Sequence, residues 1–484
     1  MTSRLPSFRK LSLEERASLL GSLVHLSAEE QALLRGGHTL ALETANQMIE
    51  NAVGTFALPL GMGLNLTVNG KDYLVPMAVE EPSVVAALSG AAKVVRGAGG
   101  FAAEADDPVM IGQVQVTRYG DPLEARERIL ARREQVLALA NSFHPQLVRR
   151  GGGARSLEVR VLPAPEGPRG EPILVVHLLI DTREAMGANL VNTAAEGVAP
   201  LIEEITGGRV YLRILSNLAD RRLARAVCRI PFALLADFDL AGDEIAEGIA
   251  QASRFAAADP YRAATHNKGV MNGVDAVAIA TGQDWRAIEA GAHAHACRSG
   301  QYQPLSAWTL EEGHLVGRLE MPLALGTVGG PIQVHPAVRL AHKLMQVGSA
   351  RELAMVFAAV GLAQNLAALK ALGSVGIQRG HMALHARARR TVGGLPDLRR
   401  LGPAEQQHLV ARDLRADASP PAEQRQRDAA DDRERGDRQP PGERLAEEER
   451  AAGRREHRHR QLHEPGAEAR ERRQGRVPEA VPDP

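Results

Sequence analysis

The sequence predicts an α+β fold, in which a large, mainly helical unit is interrupted by an inserted unit of order β-α-β-β-α-β. Three observations carry this. Residues 109–216 alternate strand-period and helix-period segments in that order. Upstream, GLNLTVNGKDYLVPMAV is a hairpin, with Asn69-Gly70 as the turn between alternating flanks. Downstream, an Ala/Leu-rich run from Ala350 to about Leu372 has the composition of a long helix.

The elements run in order from the N-terminus. SLEERASLLGSL opens with Ser12 and Glu15 at capping-box spacing, and residues up to about Asn51 are helical. After the hairpin, EEPSVVAALSGAAKVVRGAGG begins a helix with Pro82 in its first turn. VMIGQVQVTRY is a strand, PLEARERILARREQVLALANSF a charged helix, and LEVRVLP and PILVVHLLID are strands. MGANLVNTAAEGVAPLIEEIT is a helix and RVYLRIL a strand. That order is the ferredoxin-like split unit. Beyond it come helices again, an apolar strand-like run VDAVAIATG, a Gly-rich stretch GTVGGPIQVHP and the long helix. The expected divisions are 1–108 and 217–375 for the large unit, 109–216 for the insert, and two C-terminal segments, 376–415 and 416–484.

Composition narrows the function. A chain of 484 residues, 44% hydrophobic but only 3% aromatic, builds its core from Ala, Val, Leu and Ile. Zero net charge speaks against a broad nucleic-acid footprint. Cys228 and Cys297 form no disulfide framework or thiolate cluster, which fits a reducing cytoplasm. The N-terminus has no secretory pattern, and no uncharged apolar run reaches ~18 residues, so no membrane span is expected. Composition then breaks: Phe357 is the last aromatic, Lys370 the last lysine and Ile377 the last isoleucine. From about residue 416 the chain lacks the apolar residues to offset its ordering entropy and is expected to be disordered. An arginine-rich, lysine-free segment from about Ala388 is also how a GC-rich gene reads out of frame. Resequencing around that codon tests this.

Four places bear chemistry. Glu80-Glu81-Pro82-Ser83 sits between strand and helix, where a carboxylate either complements the helix dipole or, with a raised pKa, moves a proton. Lys268 lies among small residues and amides in ATHNKGVMNG, either as a solvated cation or as one aimed at developing negative charge. Asp284 is either a helix N-cap or an acid holding a lysine. His381 and His385 are one helical turn apart, a spacing that suits a metal pair, but there is no HExxH pattern and no third ligand. DTREAMGANLVNT runs from a strand into a helix, as a weak phosphate cradle does, without the Rossmann fingerprint.

Together these stretches resemble the hydroxymethylglutaryl-CoA (HMG-CoA) reductases of class II, over about residues 3 to 387. ENAVGT, EEPSVVAA, EAMGANLVNT, RILSNLADRRLARA, DPYRAATHNKGVMNG, TGQDWRAIEAGAHAHACRSG, GTVGG, GLAQNL and GIQRGHMALHAR are similar to family blocks in the family's order. The resemblance implies interconversion of HMG-CoA and mevalonate plus CoA by two hydride transfers with NAD(P)(H), NADH or NADPH in the reductive direction, through hemithioacetal and mevaldehyde, without a metal, in either mevalonate synthesis or mevalonate catabolism. It implies Lys268 facing the carbonyl oxygen, Glu81 handling its proton, Asp284 bonding both, and His381 protonating the CoA thiolate. It places Ser83, Arg262, Asn272 and Asn365 near the substrate, and Met186, Gly187, Asn189 and Asn217 on the nucleotide side. It makes the insert the cofactor domain and the large helical domain the substrate-binding domain. It also implies a homodimer with shared sites, no nucleic-acid or membrane partner, and a cytoplasmic location.

Two departures stand out. Glu184 replaces the family's aspartate in DAMGxN. After HAR the chain reads ARRTVGGLPDLRR instead of the family's closing flap, so binding is expected to survive and turnover to be impaired. Arg149 and Arg150 are candidates for a cofactor 2′-phosphate. The alternatives are a single-step hydroxyacyl-CoA dehydrogenase, which would consume one cofactor per product, and a catalytically dead CoA-binding dimer.

Overall fold

The computed structural model describes residues 1–36, 40–165, 170–237 and 240–373. His381, the flap remnant, the expected disordered tail and the frame question all lie outside the described residues. The N-terminal helices are α1 (Leu13–Val24), α2 (Ala28–Leu34) and α3 (Leu42–Met48). The capping box at Ser12 is present: Ser12 N–H donates to Glu15 Oε2 at 2.7 Å and Glu15 N–H to Ser12 Oγ at 3.2 Å. Ser27 and Glu30 repeat it at α2. Strands β1 (Leu60–Val68) and β2 (Lys71–Ala78) form the expected hairpin. Asn69 and Gly70 both take positive φ, 51° and 77°, as a two-residue turn matched to strand twist requires.

Helix α4 (Val84–Gly97) starts later than expected. Pro82 precedes it rather than occupying its first turn, because Ser83 adopts a left-handed conformation (φ 77°) and turns the chain before the helix begins. A short strand, β3 (Ala102–Ala105), leads to the insert: β4 (Val109–Thr117), α5 (Pro122–Ala131), α6 (Arg133–Ser142), α7 (Pro145–Arg149), β5 (Gly153–Leu162), β6 (Ile173–Asp181), α8 (Ala188–Thr206) and β7 (Arg209–Ser216). The single charged helix expected here is broken at Arg132, whose φ of −103° leaves the helical region. The sheet order is β5-β6-β4-β7, with every pair antiparallel. Met110 and Val114 of β4, Leu178 and Ile180 of β6, and Val191, Val198 and Ile202 of α8 share its own core.

The chain continues through β8 (Leu223–Pro231), α9 (Gly242–Ala258), α10 (Pro260–Ala280), α11 (Trp285–Ala296), β9 (Ser306–Glu311), β10 (His314–Pro322), α12 (Pro336–Met345) and α13 (Ala350–Gly373). A second antiparallel sheet, β3-β8-β10-β9, was not expected from the sequence. LARAVCRIP does alternate, but its inward residues are Ala224, Ala226, Cys228 and Ile230, so the apolar face is half alanine and the strand signal is weak. The strand-like run VDAVAIATG is also corrected: through Ala280 it is the end of α10. A helix buried on several sides is apolar all round, so a short stretch of it has no period that separates it from a buried strand.

Helices α10 and α13 pack through glycines. A Cβ on Gly273 would lie 2.9 Å from Gln364 Cβ, and one on Gly361 would lie 3.0 Å from Val270 Cγ1. Among the described residues, α13 alone is long and apolar enough to cross a membrane. Val356, Phe357, Val360 and Leu362 are fully buried within the molecule, so here it is the central core helix.

Candidate active site

Lys268 stands nine residues into α10. Asp259 caps that helix, with its carboxylate accepting from Tyr261 N–H at 3.1 Å, and Pro260 supplies its first residue. Glu81 comes from the link between β2 and α4, where the left-handed turn at Ser83 re-aims the chain. Lys268 Nζ donates to Glu81 Oε2 at 3.1 Å. The two side chains remain 62% and 42% exposed, so the pair is open to a ligand. Lysine has three N–H donors, and this contact uses one.

A cavity of about 280 Å³ surrounds the pair and is also lined by Ser83, Arg262, His266, Asn272 and Asn365. Burial lowers the pKa of Arg262, although a guanidinium stays charged. Burial first, and then Arg262, hold His266 down to about 4, so its ring is neutral. Two cations against one carboxylate favour an anionic ligand. Asn365 is 1% exposed, and its amide oxygen accepts from Ser306 Oγ (3.0 Å) and Trp308 Nε1 (2.7 Å). That oxygen is therefore committed to the fold, which sets the wall of the cavity rather than a ligand contact.

A second cavity, about 530 Å³, opens at the N-terminus of α8 and shares no lining residue with the first. Met186, Gly187, Asn189, Asp284 and Arg286 line it. Gly187 caps the nineteen-residue α8 with φ 104°, and a Cβ there would lie 2.3 Å from Thr182 Cγ2. Bare backbone N–H groups at that end suit a phosphate. Asp284 caps α11, its Oδ1 accepting from Ala287 N–H at 3.1 Å, with Arg286 Nη2 at 3.6 Å. Asp284 does not reach Lys268 within one chain. From Lys268 to Ala280 the helix rises about 18 Å, and Asp284 lies past its far end.

The chain therefore presents a pocket with a lysine–glutamate pair and, apart from it, a cavity at an uncapped helix N-terminus with an aspartate. The family model for hydroxymethylglutaryl-coenzyme A reductase matches residues 12–386, a stretch that includes position 381. The chain belongs to the HMG-CoA reductase family. It is 51% identical over 392 residues to the reductase of Archaeoglobus fulgidus, covering 80% of this chain and 86% of that one. It is 36% identical to a probable reductase of Borreliella burgdorferi, over 78% and 85% of the two chains. The class II HMG-CoA reductase of Streptococcus pneumoniae, solved with NADPH in open conformations, superposes with a TM-score of 0.73 at 49% identity. That match covers 76% of this chain and 99% of the other. The activity is that of a class II HMG-CoA reductase, an NAD(P)-dependent oxidoreductase.

Against the reductase expectations, Glu81, Ser83, Lys268, Arg262, Asn272 and Asn365 meet in the first cavity, and Met186, Gly187, Asn189 and Asp284 in the second. Asn217 lines neither. It comes directly after β7, and its carbonyl oxygen occupies the space a Cβ on Gly291 would need. Arg149 and Arg150, at the end of α7, are exposed. Glu184, the departure from the family's aspartate, uses its extra reach: Oε2 accepts from Thr327 Oγ1 at 2.9 Å and from Ala350 N–H at 2.7 Å. Sequence reasoning missed Arg222. It is 4% exposed and donates to Thr182 Oγ1 (3.3 Å) and to the carbonyls of Ala185 (3.3 Å), Met186 (3.2 Å) and Leu325, fixing the loop that enters α8. Burial pushes its guanidinium down to about 10, so it stays protonated. Gln283 was missed too: its amide pairs with Gly326 in both directions, at 2.9 and 2.8 Å. Both lie inside blocks that resemble the family, RILSNLADRRLARA and TGQDWRAIEAGAHAHACRSG, but nothing local marks their role, because each serves backbone groups that only the fold brings near.

Proposed function

We propose that Lys268, Glu81 and Asp284 carry the reductase chemistry, and that each site is completed between two subunits, with Asp284 of the partner subunit facing the lysine–glutamate pair. The supporting observation is the division of the site residues within one chain into two cavities, with Lys268 inside α10 and Asp284 past the far end of that helix. Exposed apolar side chains fit a second copy as the missing surface. Val53 and Phe56, in the ENAVGT segment and just after it, are 99% and 92% exposed, and Tyr211, Leu212 and Ile214 of the edge strand β7 are also open.

In this reading the first cavity binds the acidic acyl part of HMG-CoA through Arg262 and Asn272. Gly187 and the N-terminus of α8 hold the cofactor's phosphate, and no side chain caps that helix end, which leaves its N–H groups to a ligand. The bound nicotinamide supplies the hydride. The thioester consumes two hydrides and two protons in total and yields mevalonate and CoA thiol. Each hydride addition places negative charge on a carbonyl oxygen, and the Lys268 ammonium stabilises it where it forms. Glu81, hydrogen-bonded to Lys268, carries the proton for that oxygen. The partner's aspartate holds the lysine charged and in line. The inserted sheet unit is the cofactor domain, the remainder the substrate domain, and the free thiols fit a cytoplasmic setting.

Two experiments test this. Cofactor oxidation is followed with HMG-CoA and with mevaldehyde, each with NADH and NADPH. Two cofactors per HMG-CoA are expected, and one would favour a single-step dehydrogenase. Lys268→Met and Asp284→Ala chains are then co-expressed. Shared sites restore about one quarter of wild-type activity, because half the dimers are mixed and each of those has one intact site. No restoration over the two single variants sinks the shared site.

A further inference from the structure

The cavity at the N-terminus of α8 and the turn that carries Asp284 are joined by one side-chain amide. Helix α10 ends in a Schellman motif just before it. Gly282, at φ 64°, donates its N–H to Ile279 O at 3.2 Å, and Gln283 N–H reaches back to Ala278 O at 2.8 Å. A Cβ on Gly282 would lie 2.8 Å from Val338 Cγ1, so the left-handed turn and the close approach of α12 both favour glycine there. Gln283 follows with its side chain buried, and Asp284 then opens α11 as its N-cap.

The Gln283 amide is spent on backbone. Oε1 accepts from Gly326 N–H at 2.8 Å, and Nε2 donates to Gly326 O at 2.9 Å and to Thr281 O at 3.1 Å. Both amide hydrogens have a carbonyl partner, and that pattern also fixes which way the amide points. Thr281 O receives a second donor, His342 Nε2 of α12, at 2.9 Å. On its other side Gly326 meets the loop that enters α8. A Cβ on Gly326 would lie 2.6 Å from Met186 N, so the two backbones touch. Thr327 N–H donates to Glu184 O at 2.8 Å, and Val328 pairs with Ala185 in a parallel bridge. Gly326, Val328, Gly329 and Gly330 line the α8 cavity. One backbone segment is thus held by the α8 entry loop on one side and by Gln283 on the other. Without the amide, Gly326 N–H and Gly326 O lose this buried partner, which is costly, while Thr281 O keeps His342. The segment then shifts toward other partners, and the turn one residue from Gln283 shifts with it.

We propose that Gln283 is a positioning residue for the reduction: its amide locks the floor of the α8 cavity to the turn carrying Asp284, so that cofactor and aspartate are presented as one rigid piece. The catalytic part rests on the roles proposed above for Asp284 and for the α8 cavity. Gln283 acts through its neighbours, because its donors are committed to backbone. Such a constellation has to be held within about 0.5 Å, and a misplacement of about 1 Å can cost about 100-fold in rate.

The test uses the full chain with two variants. Gln283→Met keeps the bulk and loses the amide. Gln283→Glu keeps the acceptor for Gly326 N–H but faces two carbonyls, so only its protonated form has a hydrogen to donate. For Gln283→Met, kcat is expected to fall by about 10- to 100-fold and the cofactor Kd to rise about fivefold or more. The KM for HMG-CoA should stay within about twofold, because Gln283 does not line the Lys268 cavity. Gln283→Glu should approach wild-type kcat at the acid end and fall away from it as pH rises through the raised pKa of a buried carboxyl. That is the sign for a group that works only when protonated. Hydrogen exchange, read by mass spectrometry, follows the turn independently of turnover. Asp284 Oδ1 holds Ala287 N–H, so residues 285–290 of Gln283→Met should exchange about tenfold faster while residues 262–272 of α10 keep the wild-type rate.

A Met variant with kcat within threefold of wild type overturns the proposal. So does a Glu variant whose ratio to wild type is flat with pH. A Met variant that loses Tm and the binding of both ligands in proportion also overturns it, because that marks general damage to the fold. If Gln283→Met does not fold, Gln283→Glu compared at acid and alkaline pH carries the rate and exchange readouts. If Asp284→Ala keeps wild-type kcat, the catalytic reading of Asp284 falls instead, and exchange over 285–290 still decides whether Gln283 holds the turn.

Discussion

Replacing Lys268 by methionine separates two effects that the structure makes very different in size. The Lys268–Glu81 pair is more than half exposed on the lysine side. Such pairs contribute no more than about 1 kcal/mol to stability, so Tm should move by no more than about 2 °C. The same ammonium, aimed at the oxygen that becomes negative during hydride transfer, is expected to be worth about 2.7–4 kcal/mol there, or about 100- to 1000-fold in kcat. Methionine keeps most of the apolar stem and removes the charge together with the N–H donors. The cavity at the N-terminus of α8, the proposed cofactor site, does not have Lys268 among its lining residues. Cofactor Kd, read by quenching or calorimetry, should therefore stay within about threefold. The assay is oxidation of the reduced nicotinamide with HMG-CoA at saturation, beside thermal unfolding of the same preparations. A kcat within tenfold of wild type refutes the oxyanion role. A large Tm loss with proportionate activity loss would mean that Lys268 is structural.

Three further outcomes are expected. Gly187→Ala, at φ 104° with its Cβ forced to within 2.3 Å of Thr182 Cγ2, should raise the cofactor KM by about tenfold or more and leave HMG-CoA binding in place, as titration of each ligand would show. Arg222→Met leaves the carbonyls of Met186 and Leu325 without their side-chain donor, while Ala185 keeps Thr182 Oγ1, so denaturant melts should show a loss above about 2 kcal/mol, with cofactor affinity falling alongside. Asp72 tests acid stability. Burial alone would raise its carboxyl, but hydrogen bonds from Arg96, the Ser3 N–H and Thr67 outweigh that and bring it down to about 2. A depressed folded pKa contributes stability above the unfolded value of about 3.9 that is lost as pH falls toward 2, about 2 kcal/mol in all. Asp72→Asn should flatten the acid limb of the Tm–pH curve, and an unchanged limb would remove Asp72 from the account.

The legible parts of the sequence are those whose signal is local. Asn69-Gly70 needs two positive φ angles, and Ser12 with Glu15 needs a three-residue spacing, so both could be read without the rest of the molecule. The β-α-β-β-α-β order was legible because its strands are rich in Val, Ile and Leu. The second sheet was hidden because β8 turns alanines inward against bulky neighbours such as Phe101 and Leu235. The end of α10 was hidden because burial on all sides erases helical period. Within the site, Lys268 and Glu81 were legible as motif residues, but their separation from Asp284 in one chain was not. That separation depends on the straight rise of a helix whose very existence was in question. Arg222 and Gln283 answer to carbonyls and amides far away in sequence, which no pattern of side chains announces.

Lys268 sits inside α10 and Asp284 past its C-terminal end, and in the proposed shared site each chain carries halves of two different catalytic centres. Its rate then obeys the law of mass action in the protein itself. Specific activity should fall on dilution once protomers part, with the rate turning from first to second order in enzyme concentration. A molecule that merely wedges the protomers apart would silence both centres without resembling any substrate.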